Sequence, residues 1–113
     1  MSTDISNLSF DERFVLAAET SDSTVIEMLA QDLEYEIRAN VTENKNVTRE
    51  ILLKLSKDIV YLVRKGVAEN LKTPYEVLVS LAKDKDVRVR VAVAKNPNIS
   101  DEIFAILDRK SVV

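Results

Sequence analysis

The chain of 113 residues has no cysteine and no histidine, which excludes disulfides, zinc sites, and thiol or imidazole catalysis. Its composition, 46% apolar and 31% charged with one glycine and two prolines, fits one globular domain over 1–113 and offers too few turn residues for an all-β fold. The net charge of −3 is uneven, because residues 1–56 hold 11 acidic and 5 basic side chains, whereas residues 57–113 hold 8 and 11. With no run of about 18 apolar residues to cross a membrane, these features indicate a cytoplasmic domain without metal or cofactor.

The N-terminal region predicts two short helices. Ser9–Glu12 has the Ser-x-x-Glu spacing of a capping box, in which the two side chains satisfy free backbone amides at a helix start. We expect a helix from there to about Glu19, with Phe14 and one of the following alanines buried. Several N-cap candidates at 21–24 then precede a second apolar segment. We interpret 1–28 as an N-terminal cap with half a repeat.

The rest of the chain repeats at a spacing of 26 residues. The positions that match in three copies are Asp32, Asp58 and Asp84; Arg38, Arg64 and Arg90; Asn44, Asn70 and Asn96; and Glu50, Glu76 and Glu102. A period of this size is typical of a tandem array whose units cannot bury their apolar faces alone. We divide the array into repeats 29–54, 55–80 and 81–106, followed by a C-terminal cap or tail at 107–113. This makes about 3.5 repeats with the half repeat included.

The first apolar segment of each repeat allows a strand or a helix. In the third repeat four valines alternate as in a strand: Val87, Val89, Val91 and Val93. Only two columns stay aliphatic in all copies, namely Ile37, Val63 and Val89, and, four residues later, Val41, Val67 and Val93. Small residues fill the neighbouring columns. This spacing favours a helix that packs closely on its neighbours.

The second segment carries helix-start signals. Thr73, Pro74 and Glu76 have the positions of an N-cap, a first-turn proline and a capping-box glutamate. Thr48 and Ser100 are the expected N-caps in the other copies. The apolar residues that follow lie on one stripe: Ile51, Leu52 and Leu55; Val77, Leu78 and Leu81; Ile103, Phe104 and Leu107. Each repeat is therefore predicted to be a helical hairpin, and stacked hairpins make an all-α solenoid with a continuous core.

The third repeat also carries a family resemblance. Its sequence from Leu81 to Phe104, Leu-Ala-x-Asp-x-Asp-x-x-Val-Arg-x-x-Val-Ala-x-Asn-Pro-Asn-x-x-x-Glu-Ile-Phe, resembles the leucine-rich repeat variant and, more distantly, the HEAT repeat. The match covers 29–107. The resemblance implies a right-handed superhelix of stacked hairpins, in which one helix of each pair can be a 3₁₀ helix, and it implies no activity. The family's cysteine-held iron–sulfur cluster is not expected in a chain without cysteine.

The recurring polar columns invite functional interpretations. The arginine and aspartate columns could line a charged groove, but a structural ladder explains side chains that lie above one another in every repeat. The asparagine column is expected at helix ends in the left-handed conformation. Asp32, Glu34 and Glu36 could hold a hard cation, but a solvated face is favoured because no glycine-containing loop adds oxygen ligands. No catalytic, cofactor-binding or metal-binding residue is assigned.

One basic concentration is the candidate partner-binding patch: Lys83, Lys85, Arg88, Arg90 and Lys95. Nucleic acid is a disfavoured ligand, because two acids interrupt the patch and the isoelectric point is about 5.0. The leading hypothesis is a non-enzymatic scaffold that binds a protein partner. The alternatives are self-assembly into a homo-oligomer through the acidic and basic ends and, after that, nucleic-acid binding through the basic patch.

Overall fold

The computed structural model describes residues 4–111, and this part of the chain forms eight α-helices and no strand. The helices are α1 (Phe10–Glu19), α2 (Ser23–Leu29), α3 (Tyr35–Val41), α4 (Arg49–Leu55), α5 (Tyr61–Glu69), α6 (Tyr75–Leu81), α7 (Val87–Lys95) and α8 (Asp101–Ser111). The predicted all-α class is confirmed, and the helices of all described pairs are α-helical rather than 3₁₀. Val112 and Val113 of the predicted C-terminal tail lie outside the described residues.

Predicted side-chain caps begin several of the helices. At α1 the Ser9 hydroxyl accepts from the Glu12 amide at 3.1 Å, and the Glu12 carboxylate accepts from the Ser9 amide at 2.8 Å. Thr48 and Ser100 each accept from the amide three residues later, at 3.2 and 3.3 Å. Asp22, one of the cap candidates, accepts from two amides in the first turn of α2. These bonds satisfy amides that have no partner inside the helix.

The predicted capping box at Thr73 is wrong. The N-cap of α6 is Pro74, and the Thr73 hydroxyl donates to the Val67 carbonyl at 2.6 Å instead of accepting from the helix. Thr73 is buried, so its hydroxyl needs a partner within the protein. The end of α5 provides that partner, and α6 therefore begins without a side-chain cap.

The odd-numbered helices pack one on the next, α1 on α3, α3 on α5 and α5 on α7, and the even-numbered helices lie beside them. The molecule is elongated, measuring 51 × 21 × 17 Å. The two aliphatic columns predicted for the first segment are fully buried in every copy: Ile37, Val63 and Val89, and Val41, Val67 and Val93. Of the alternating valines in the third repeat, Val87 and Val91 are exposed. The helical interpretation is therefore confirmed.

Gly66 allows α5 to approach α3 closely. A Cβ at this position would lie 2.2 Å from Thr42 Oγ1 and 3.1 Å from Thr42 Cβ. The Thr42 hydroxyl is itself held in place, because it donates to the Ala39 carbonyl at 2.6 Å. The predicted column of small residues thus has a steric cause at its middle position.

Two aromatic residues predicted to be buried lie at the surface. Phe14 is 39% exposed and stacks on Phe10, with 5.9 Å between ring centroids, while Ala17 is the buried residue of α1. Phe104 is 65% exposed although Ile103 beside it is buried. Both belong to the first and last helices of the array, where fewer neighbours can cover a side chain.

Candidate functional site

Arginine and aspartate side chains form a ladder that links successive repeats. Arg38 Nε donates to Asp58 Oδ2 at 2.7 Å, and Arg64 Nε donates to Asp84 Oδ2 at 2.8 Å. Each guanidinium also donates through Nη1 to a carbonyl in the turn before its own helix, Asp32 O or Asp58 O, at 2.7 Å. Each arginine thus joins its own turn to the turn of the next repeat. These bonds support the structural ladder over an open charged groove.

Arg13 adds an N-terminal rung that the sequence interpretation missed. Its Nε donates to Asp32 Oδ2 at 2.9 Å and its Nη1 to the Leu8 carbonyl at 2.9 Å, which is the pattern of the later rungs. Arg13 lies 25 residues before Arg38, so a fixed spacing of 26 does not reveal it. The same pattern shifted by one residue would have identified it.

The ladder keeps its guanidinium groups charged. The hydrogen bond with Asp58 raises the pKa of Arg38, and the hydrogen bond with Asp84 raises the pKa of Arg64, each against the opposing effect of desolvation. An arginine is always protonated in a protein. The ladder is therefore suited to holding repeats together and not to transferring protons.

The asparagine column binds the backbone of the preceding repeat. Asn44 Nδ2 donates to the carbonyls of Ala17 and Thr20, both at 2.9 Å. Asn70 and Asn96 make the same kind of bond, at 2.8 and 2.9 Å. The predicted turn role is confirmed, but the left-handed conformation is wrong, because no non-glycine residue in the described range has a positive φ. The position requires the amide side chain, which bonds carbonyls across repeats.

The five residues of the basic patch are not equally available to a partner. Arg88 Nη2 lies 2.8 Å from Asp86 Oδ2, and its guanidinium carbon lies 3.4 Å from the ring centre of Tyr61 in the preceding repeat. Arg90 is partly buried and donates to the Asp84 carbonyl at 2.6 Å. The other three, Lys83, Lys85 and Lys95, are exposed. Two of the five cations are thus engaged within the fold.

The pair of Asp86 and Arg88 is a local feature of the third repeat. Asp86 caps α7 by accepting from the Arg88 amide at 2.8 Å. The side-chain hydrogen bond with Arg88 lowers the pKa of Asp86 to about 2, and the same bond raises the pKa of Arg88. The second repeat has Val60 and Leu62 at these positions and makes no such pair.

A row of exposed side chains directly follows the ladder aspartates: Leu33, Ile59 and Lys85, here called the edge row. Leu33 is 96% exposed and Ile59 is 91% exposed. The aspartate before each of them is bonded to an arginine, which fixes the turn and leaves the next side chain in solvent. The sequence interpretation missed this row, although a large apolar residue beside a ladder aspartate, repeated at 26 residues, is a visible signal.

A shallow groove of about 630 Å³ lies along α1. It is lined by Leu8, Asp11, Glu12, Val15, Leu16, Glu19 and Thr20. Its centre is apolar and its rim is acidic. We call this surface the α1 groove.

The acidic trio does not form a cation site. Asp32 is engaged by Arg13 and by the Glu34 amide, which donates to Asp32 Oδ1 at 3.0 Å. Within residues 4–111 no group of three acidic side chains is placed to hold a metal ion. In the same range no helix has the length and apolar character needed to cross a bilayer.

Comparison with protein-family models, with curated proteins and with solved structures found no match to this chain. Its function therefore has to be argued from the chemistry of its own surface.

Proposed function

We propose that this chain is a non-enzymatic scaffold that binds a protein partner through the edge row. We further propose that its hairpins form a right-handed α-solenoid of the leucine-rich repeat variant type. The elongated shape and the recurrence of equivalent bonds in successive repeats support this architecture. The arginine and asparagine columns hold the fold together, and the proposal assigns them no chemistry.

The exposure of Leu33 and Ile59 is the observation that carries the proposal. Burying an aliphatic side chain of this size is worth about 1.5–3 kcal/mol, and neither residue gains it in the folded chain. Helices in contact lie about 8–10 Å apart, so equivalent side chains of successive repeats are within reach of one partner segment. A rigid apolar pair of this kind offers a partner the burial that the chain itself does not supply.

The residues around the pair suit a protein surface. Tyr35 and Tyr61 follow Leu33 and Ile59 by two residues, and Tyr35 is 37% exposed. Tyrosine is enriched at protein interfaces because it combines a large apolar ring with a polar tip. The edge row continues with Lys85, so the complementary partner has two apolar side chains followed by an acidic one.

The double variant Leu33→Asp/Ile59→Asp tests the proposal. A partner captured from the source cell is purified, and its dissociation constant for each variant is measured by calorimetry. We expect the double variant to bind at least about tenfold more weakly, which corresponds to about 1.4 kcal/mol. The control variant Leu53→Asp/Leu71→Asp changes apolar residues that are 46% and 63% exposed and lie outside the edge row; it is expected to bind like the wild type.

Two results would overturn the proposal. One is a partner that binds the edge-row variant as tightly as the wild type, with circular dichroism showing both to be folded. The other is salt-dependent binding of duplex DNA or RNA that is lost when Lys83, Lys85 and Lys95 are replaced together by glutamine.

A further inference from the structure

The last pair of helices exposes side chains whose equivalents are buried one repeat earlier. Ala68 is fully buried, whereas its equivalent Ala94 is exposed. Leu78 is 1% exposed, whereas its equivalent Phe104 is 65% exposed. In the second repeat, α7 and α8 follow and cover these positions. The exposed set, here called the α7–α8 face, is Val87, Val91, Ala94 and Phe104.

The α1 groove is the matching surface at the other end of the molecule. Aligning Arg13 with Arg38 shifts α1 onto α3 by 25 residues, so that Val15 takes the place of Asn40. In α3 this face packs against α1, since Asn40 Nδ2 donates to the Phe14 carbonyl at 2.6 Å. The equivalent face of α1 has no such neighbour in the described structure, and Val15 is 56% exposed.

The two surfaces carry opposite charge. Helix α1 has three acidic residues, Asp11, Glu12 and Glu19, and its single base, Arg13, is paired with Asp32. Helix α7 has three basic residues, Arg88, Arg90 and Lys95, and no acid. A copy that places α1 on α7 therefore brings an acidic rim against a basic helix.

We infer that a second copy of this chain binds head to tail, with its α1 groove seated on the α7–α8 face of the first. This contact continues the packing of α1 on α3, α3 on α5 and α5 on α7 across the boundary between molecules. Val15 and Leu16 of one copy cover Val91 and Phe104 of the other. The inference does not rest on the edge row, which stays exposed in the assembly and open to its own partner.

The contact joins two different surfaces, so a bound copy still presents one free surface of each kind. Such heterologous contacts extend into open chains when the rotation does not close a ring. The attraction between the charged surfaces weakens as salt is added, because the Debye length falls to about 10 Å at 0.1 M ionic strength and about 3 Å at 1 M.

Sedimentation velocity of the full chain over a range of concentrations tests the inference. At low ionic strength the average mass is expected to rise with concentration beyond that of a dimer. At high ionic strength the association constant is expected to fall by roughly tenfold or more. A chain that stays monomeric at low ionic strength and the highest soluble concentration overturns the inference.

Two surface variants distinguish head-to-tail contact from other dimers. Val15→Arg blocks the α1 groove and Phe104→Asp blocks the α7–α8 face, and both positions are exposed, so folding is expected to be retained. Each variant alone is expected to stay monomeric. An equal mixture is expected to form a dimer and nothing larger, because each partner keeps the surface that the other has lost.

The mixture also supplies the contradicting results. If either variant alone still associates like the wild type, or if the mixture stays monomeric while the wild type associates, the head-to-tail contact is wrong. Leu53→Asp, on α4 and outside both surfaces, is the control and is expected to associate like the wild type. The edge-row variant Leu33→Asp/Ile59→Asp is also expected to associate normally, so failure of this inference and failure of the protein-binding proposal give different results.

Discussion

The second and third repeats have the same sequence pattern and different surroundings. In the second repeat Leu78 is 1% exposed, and in the third Phe104, a larger apolar residue in the same column, is 65% exposed. The helix before each residue begins and packs in a similar way, and Val77 and Ile103 beside them are both buried. Burial of this column therefore depends on whether another pair of helices follows. The sequence pattern decides which residues can be buried, and the position in the array decides which of them are.

Truncating this column in both repeats should separate the two contributions most clearly. Leu78→Ala removes a fully buried side chain and leaves a cavity, and we expect it to lower the free energy of unfolding by about 2–5 kcal/mol. Phe104→Ala removes an exposed side chain and is expected to change it by about 0.5 kcal/mol or less. Urea unfolding, measured at a dilution where the chain is monomeric, gives both values. Equal losses in the two variants would show that Phe104 is buried in solution.

The contact between Gly66 and Thr42 provides a smaller test of the same kind. The equivalent contact one repeat later joins Ala92 to Ala68, so the second repeat uses glycine opposite threonine and the third uses alanine opposite alanine. Gly66→Ala would improve helix propensity by about 1 kcal/mol, but its Cβ would overlap Thr42. We expect a net destabilisation of about 1–3 kcal/mol from overpacking.

Relieving the overlap should reverse the sign of this change. In the Thr42→Ala background, Gly66→Ala reproduces the pair found in the third repeat and is expected to stabilise the chain. A double-mutant cycle by urea unfolding measures the coupling between the two positions. Additive effects would mean that the helices are farther apart than the 2.2 Å overlap requires.

Much of the fold could be predicted because its signals recur. The two aliphatic columns, the caps at Ser9 and Thr48, and the turn role of the asparagines each depend on residues close in sequence or on comparison of three copies. A signal that occurs once was harder to interpret. Thr73 has the sequence of an N-cap, yet its hydroxyl bonds the end of α5 because the residue is buried there.

The candidate surfaces were less predictable, because exposure is a property of the assembled molecule. Leu33 and Ile59 are apolar and would be assigned to a core by composition alone. They are exposed because Asp32 and Asp58 use the inner side of each turn to bind arginines. The basic patch shows the opposite case, since Arg88 and Arg90 are adjacent in pattern to the lysines and yet bind groups within the fold.

The smallest expected effect concerns the ion pair that only the third repeat has. Arg88 holds the pKa of Asp86 at about 2, below the ordinary value of 3.8. A carboxyl whose pKa is lowered by folding stabilises the folded state above its unfolded pKa, and this contribution is lost as the pH falls through the folded pKa. We therefore expect stability that depends on Asp86 to disappear between about pH 4 and pH 2.

The variant Asp86→Asn isolates this contribution. It is expected to be slightly less stable than the wild type at neutral pH and to approach the wild type as the pH falls toward 2, because the wild-type carboxyl is then also neutral. Thermal unfolding across this range measures the difference, and an NMR titration of the Asp86 carboxyl carbon gives its pKa directly. A titration midpoint near 3.8 would mean that Arg88 does not hold Asp86 in solution, and that the third repeat is joined to Tyr61 less firmly than the 3.4 Å stacking of Arg88 indicates.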